Sequence, residues 1–492
     1  MKKILALILA LVMVAGLAAC GQAAAPAPAS SGSAPAASSD AAPAPAADAA
    51  PAEAPAAESA ITTSTIGNGP VVINLYSFTD EVPKMVARYA ELHPEFASKY
   101  TVKVTIQATT DGGYQIMLDQ ALATGGADAP DIYCAESAFV IKYTSGDASS
   151  FAGTYKDLGI DVDNMVKAAE IAPYSVEIGS RDGEVVALAY QATGGAFIYR
   201  RSIAKDVWGS DDPAVVEEKI GAGTQSWDKF WDAAEDLKAK GYAIVSGDGD
   251  IWHAIENSSS TPWVVDGKLN IDPKREEFLD MSLKLKENNY HNETQDWQDA
   301  WYGDMKGAGE KGVLGFYGPA WLINYVMAGN SGGEKPGEGT YGDWAACAPN
   351  VGFLWGGTWL VSNKAVAGTD KAAGVAEILT WITLDTSEDG LQYGWANGTW
   401  SGEQGTKDTV ASNVVMKKSD GTLDFLGGQN MFDVFTKAND AANGRVLTQY
   451  DETINNWWRD QVRQYVAGNV TRDEAIENFK MQVADNLDVV VD

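Results

Sequence analysis

The chain has 492 residues and carries 67 acidic against 36 basic side chains, a formal charge of −31. Such a surface repels phosphate and anionic headgroups, which argues against nucleic acid as a partner and against a body that lies on an anionic membrane. The stretch from residue 66 onward is long enough for two well-packed lobes and too long for one small core.

Lys2 and Lys3 open the chain, an apolar run follows over 4–14, and Leu17-Ala18-Ala19-Cys20 sets small residues before a cysteine. This is the layout of an export signal, too short to cross a bilayer, which needs roughly 20 apolar residues. The Leu-Ala-Ala-Cys run resembles the lipobox of bacterial lipoproteins. That resemblance implies a signal peptide over 1–19 and a lipidated Cys20 that anchors an extracytoplasmic protein to the bacterial cell membrane. Residues 20–62 read as its tether. Positions 21–60 are mostly Ala, Pro and Ser, with four acids, no base and no aromatic residue, and cannot bury enough apolar surface to offset the entropy of ordering.

The body opens in an α/β rhythm. Val71–Tyr76 reads as a buried strand, and Val82, Met85, Val86, Tyr89 and Leu92 recur at helical spacing. Val102, Val104 and Ile106 alternate as a second strand, a helix carrying Tyr114, Met117, Leu118, Ala121 and Leu122 stops at Gly125-Gly126, and Pro130–Cys134 is a third strand. This order predicts parallel strands with right-handed crossovers, whose ligands bind beyond the carboxyl ends of the strands. The loops at 77–80 and 135–139 are therefore the first places to expect ligand contacts, and Tyr76, Phe78, Asp80 and Glu81 are candidates there.

The middle reads as a second lobe. Two apolar stretches flank Gln191-Ala192-Thr193-Gly194-Gly195, a flexible joint of small residues, and Ser226 is expected to cap a helix with Phe230, Ala234 and Leu237. Gly312–Tyr317 is a short strand, and Gly318-Pro319-Ala320-Trp321 turns into another helix. Thr471-Arg472-Asp473-Glu474 is a capping box for the terminal helix. Of the cysteines in the body, Cys134 and Cys347 can form one disulfide or remain two apolar thiols.

Catalytic signatures are lacking. The histidines His93, His253 and His291 have no second ligand at metal-binding spacing, and there is no phosphate loop, dinucleotide fingerprint or nucleophile elbow. A carboxylate pair for glycoside hydrolysis is defined only in space and stays open. No cofactor or metal is expected. The chain does have 16 Trp, concentrated from Trp208 onward, and 19 Tyr. Indole faces cover the C–H faces of sugars while Asp, Glu and Asn hold hydroxyls, although any one Trp serves equally well in a core.

Several segments stand in a telling order: Pro130-Asp131-Ile132-Tyr133; Asp182–Tyr190 followed by Phe197-Ile198-Tyr199-Arg200; Ser226-Trp227-Asp228-Lys229-Phe230; Tyr317-Gly318-Pro319-Ala320-Trp321; Gly356-Gly357-Thr358-Trp359-Leu360 with Ser362-Asn363-Lys364; and Tyr465-Val466-Ala467-Gly468. In these, residues 68–485 resemble the extracellular solute-binding proteins of ABC importers, in the carbohydrate-binding family that includes maltose-binding protein. The resemblance implies an α/β, two-lobed periplasmic-binding-protein-like fold with a central cleft and crossing hinge segments, its first lobe at 66–188 and 352–412 and its second at 195–346 and 415–485.

By position, Trp321 falls where the family stacks a Trp on a sugar ring, and Glu136 or Ser137 where a first-lobe residue bonds hydroxyls. The usual Asp is replaced by Ser137 and a usual ring by Cys134. Trp355 and Trp359 are candidates at the wall near the hinge, and Trp395 and Trp400 in a loop over the cleft. The implied function is capture of an extracellular oligosaccharide by a monomeric body and delivery to the transmembrane permease subunits of an ABC importer, without chemistry on the ligand. A lipid-anchored glycosidase, a surface adhesin for glycans and a polyamine-binding protein are the competing expectations.

Overall fold

The computed structural model describes residues 61–400, 405 and 407–492. The signal peptide, Cys20 and nearly all of the tether lie outside the described residues. In chain order the main strands are β1 (Thr62–Gly67), β2 (Val71–Ser77), β3 (Tyr100–Ile106), β4 (Ile132–Glu136), β5 (Ala187–Ala189), β6 (Ala196–Arg200), β7 (Gly315–Gly318), β8 (Trp344–Cys347) and β9 (Thr358–Ser362).

They form two sheets. The first has the order β1-β3-β2-β4-β9-β5, the second β7-β6-β8. As the crossover pattern predicts, β2 runs parallel to both β3 and β4. The chain then leaves to build the second sheet and returns with β9, which lies antiparallel between β4 and β5, with Thr358 opposite Glu136 and Trp359 opposite Ala189. β1 adds an antiparallel edge to β3 that hydrophobic patterning does not reveal, because five of its six residues face solvent.

Period-two alternation sorts the side chains. Ile73, Leu75, Val102, Val104, Cys134, Leu188 and Leu360 go to one face of the first sheet, Tyr133, Ala135, Ala189, Trp359 and Val361 to the other. In the second sheet Ile198, Phe316, Trp344 and Ala346 share one face, while Phe197, Tyr199, Tyr317, Ala345 and Cys347 share the face that packs on the terminal helices through Ile454, Trp458 and Phe479. Cys134 and Cys347 are buried free thiols in different sheets. Burial pushes the Cys134 thiol up to about 12 and that of Cys347 well above its ordinary value.

Local predictions differ in small ways. The helix Asp228–Lys238 begins after Trp227, and Ser226 Oγ accepts from Asp228 N at 3.1 Å without standing at the cap position. After Trp321 the chain takes a π-helical turn over Leu322–Met327. The capping box at Thr471 and Glu474 is complete.

Three segments connect the sheets side by side. Gly195 N donates to Phe353 O at 2.9 Å, Trp355 N to Thr193 O at 3.1 Å and Ala411 N to Tyr190 O at 2.8 Å, and Thr409 Oγ1 donates to Ala192 O at 2.6 Å. Gly194 and Gly195 are required here for close approach rather than for backbone freedom. A Cβ on Gly195 would stand 1.9 Å from the Phe353 ring, and one on Gly194 would stand 2.6 Å from the Asn439 backbone nitrogen. Gly195→Ala overpacks this junction and should destabilise the fold by about 2 kcal/mol, read as a lower midpoint in chemical denaturation.

Candidate functional site

The site is built on Trp355-Gly356-Gly357, the segment that leads into β9. Its three consecutive carbonyls each take a donor from a different part of the molecule. Trp321 Nε1 donates to Trp355 O at 2.9 Å, Thr193 Oγ1 to Gly356 O at 2.7 Å, and Ser137 N to Gly357 O at 3.1 Å. Gly356 and Gly357 have φ of 80° and 112°, left-handed backbone that side chains rarely adopt.

On the side of the second sheet an aromatic wall rises from this segment. The Trp321 ring meets Trp355 edge to face at 4.8 Å. Trp297 lies parallel to Trp321, within 9° at 6.1 Å between centroids, and edge-on to Trp355 at 5.8 Å. His253 stacks on Trp355 at 4.5 Å. The helix Gly249–Ser258 that carries His253 is tied to the crossing segment by Leu354 N donating to Asn257 Oδ1 at 3.2 Å.

On the side of the first sheet stand carboxylates. Glu136, at the end of β4, accepts from the Ser137 hydroxyl at 2.8 Å and from Ala138 N at 2.7 Å. Burial pushes its carboxyl up, those two donors pull it down, and the Glu452 charge pushes it up again. Glu81 opens the helix Glu81–Leu92 and accepts from the Tyr190 hydroxyl. Burial raises it, against that hydrogen bond.

Asp408, in the third crossing segment, accepts from Gln191 Nε2 at 2.6 Å and from Thr409 N at 2.7 Å. Burial pushes its carboxyl up to about 7, with the Glu81 charge adding to the rise. Tyr325 faces both acids, and after burial their charges push its hydroxyl up. Its π-helical turn is held to the crossing by Asn324 Nδ2 donating to Lys407 O at 2.7 Å.

The two loops singled out in the sequence meet, because Phe78 packs edge to face on Phe139 at 5.9 Å and on Tyr114 at 5.6 Å. Trp321 and Trp355 come together, and Glu136 and Ser137 join the same segment. Other candidates sit elsewhere. Tyr76 turns its hydroxyl to Asp128 O at 3.1 Å. Asp80 pairs with Lys84 at 2.9 Å in solvent.

Trp359 is fully buried between β4 and β5 and donates to Ser175 O at 2.9 Å. Trp395 is buried behind Tyr190, edge to face at 5.5 Å. Trp400 lies under the Arg88 guanidinium at 3.9 Å. Trp297, His253, Tyr325 and Asp408 were not anticipated. A Trp inside Gln295-Asp296-Trp297-Gln298 has no apolar periodicity around it, and only its polar setting marks it as something other than core. Among the described residues no group of three or more His, Cys, Asp or Glu can hold a metal ion.

Aromatic faces and hydrogen-bonding carboxylates set around the crossings between two α/β sheets define a two-lobed binding protein. Residues 77–388 match the family of bacterial extracellular solute-binding proteins, and the chain belongs to that family. Its fold is similar to that of a solved extracellular solute-binding protein of family 1, at 18% identity over 85% of this chain and 99% of that one, with a TM-score of 0.64. It is also similar to the galacto-N-biose/lacto-N-biose I-binding protein of the ABC transporter from Bifidobacterium longum, solved in complex with lacto-N-biose (16% identity, 86% and 100% covered, TM-score 0.59).

A further similar structure is the sugar-binding protein MalE from Xanthomonas citri (14% identity, 84% and 97% covered, TM-score 0.60). At such identities the likeness is one of fold. No curated protein sequence matches the chain.

The Asp408 carboxyl titrates near 7 in the fold and at about 3.9 in an unfolded chain, so between those values the folded state binds the extra proton. Its contribution to stability is present at the acid end and is lost as the pH rises through 7. The melting temperature should therefore fall between pH 5 and pH 8, and fall less in Asp408→Asn, which differential scanning calorimetry across that range will read.

Proposed function

We propose that this protein captures an extracellular oligosaccharide and delivers it to the membrane-spanning permease of an ABC importer, the two lobes closing over the sugar. The observation that carries this reading is the meeting of Trp321, Trp355 and Ser137 on one crossing segment, with the Glu136 carboxylate accepting from the Ser137 hydroxyl beside it. Indole faces cover the C–H faces of a pyranose, and carboxylates with neutral neighbours accept its hydroxyls. Similarly folded binding proteins described as bound to lacto-N-biose, β-1,6-galactobiose and cycloalternan support it.

Lobe closure is a shift between open and closed states, driven only by a ligand that prefers the closed one. The crossings at 191–195, 349–357 and 408–412 are its hinges. Lipidation of Cys20 and the Ala/Pro/Ser-rich segment after it would hold the body beside its permease. The sugar leaves chemically unchanged.

Calorimetry of the body without its N-terminal segment, against a panel of mono- and oligosaccharides and polyamines, tests this. An oligosaccharide should bind one to one, raise the melting temperature by mass action and be recovered intact. Binding confined to polyamines, or release of new reducing ends, would overturn it. Trp321→Ala should weaken sugar binding by about 2 kcal/mol, a roughly thirtyfold loss, with melting little changed. A large drop in melting temperature with unchanged affinity would assign Trp321 to the core instead.

A further inference from the structure

Trp297 is the one exposed tryptophan among the described residues, at 47% exposure, and its φ is 68°. A bulky residue in left-handed backbone is strained, and such strain persists only where the surroundings impose it. Here they do. The preceding Asp296 carboxylate is clamped by Arg459 at 2.5 and 3.2 Å in a largely buried pair. Behind the Trp297 ring stands Trp301, 5.6 Å away, itself fixed by its N–H on Asp250 at 2.9 Å.

The result is an indole held parallel to Trp321, with its own N–H donating to no group among the described residues. A core role does not account for a ring so exposed. Nor does local turn chemistry, which would be met with less strain by Gly or Asn at this position.

We propose that Trp297 is a second sugar-stacking platform continuous with Trp321, so that the site takes a ligand of at least two consecutive sugar rings. This rests on the carbohydrate reading above. A monosaccharide stacks on Trp321 alone, while a disaccharide or longer chain also covers Trp297 and can accept its free N–H at a ring or glycosidic oxygen. Trp297 thereby sets the minimum length of ligand.

Trp297→Gly separates this role from a structural one, because glycine relieves the left-handed strain. The variant should melt at or above the temperature of the parent. Calorimetry with glucose, galactose, maltose, maltotriose, lacto-N-biose and β-1,6-galactobiose should show affinity for the bound di- and trisaccharides falling about tenfold, with any monosaccharide affinity unchanged.

As a readout independent of affinity, iodide quenching of the parent's tryptophan fluorescence should decrease when the bound disaccharide is added, and should decrease by less in Trp297→Phe, where only the half-buried Trp321 and Trp355 remain to be covered. Equal di- and trisaccharide affinity in parent and Trp297→Gly would overturn the platform and leave the carbohydrate reading intact. So would a lower melting temperature with affinities unchanged. Failure of every sugar to bind the parent would overturn both.

Discussion

Everything at the site hangs on two adjacent left-handed glycines. At Gly356 and Gly357 the backbone turns its successive carbonyls outward in three directions, where Trp321, Thr193 and Ser137 meet them. An aromatic wall rooted near the second sheet, a crossing strand and a carboxylate loop rooted in the first sheet are thereby referenced to a single stretch of peptide. Gly356 has a second duty: a Cβ there would stand 3.1 Å from Trp321 Nε1, close enough that the indole would have to give by a few tenths of an ångström. Two residues without side chains thus fix where the side chains that matter stand.

The buried carboxylates of this chain are of two kinds. Some buried or half-buried acids are matched to bases, as Asp131 is to Lys371 at 2.8 Å and Asp296 to Arg459, while Asp250 and Asp304 inside the second half of the chain are held by neutral donors. Glu136 and Asp408, beside the crossing segment, are of the second kind and take their hydrogen bonds from a hydroxyl, a side-chain amide and backbone N–H groups. A carboxylate locked to a guanidinium has spent its lone pairs and its field. One held by neutral donors keeps acceptor capacity for hydroxyl groups, at the cost of a raised pKa.

Legibility in the sequence followed burial. The parallel β3-β2-β4 order was readable because each strand shows its apolar face in the chain, and the terminal helix because Thr471 and Glu474 write its start directly. β1 was invisible, since an exposed Thr/Ser edge has no hydrophobic period, and its partner is chosen by register with β3. Trp321 and Trp355 stand out through their flanking motifs, and the structure brings their rings together. Trp359 and Trp395 were nominated by the same rule, yet they point inward. β9 lies between β4 and β5 with both faces covered, so alternation cannot say which of its side chains reach solvent. Trp297 had no motif at all. Its position depends on Arg459, far away in sequence, and on a backbone angle that residue identity alone argues against.

The two buried thiols have a consequence of another kind. Cys134 lies in the first sheet and Cys347 in the second, each without exposed surface and each with its thiolate form suppressed. Folding in an oxidising compartment therefore needs no oxidant or isomerase on their account. A thiol reagent can reach each of them only during an opening of the sheet that encloses it. The chain carries, in effect, two internal clocks, one per sheet, and their separate modification rates time how often each half comes apart while the other stays closed.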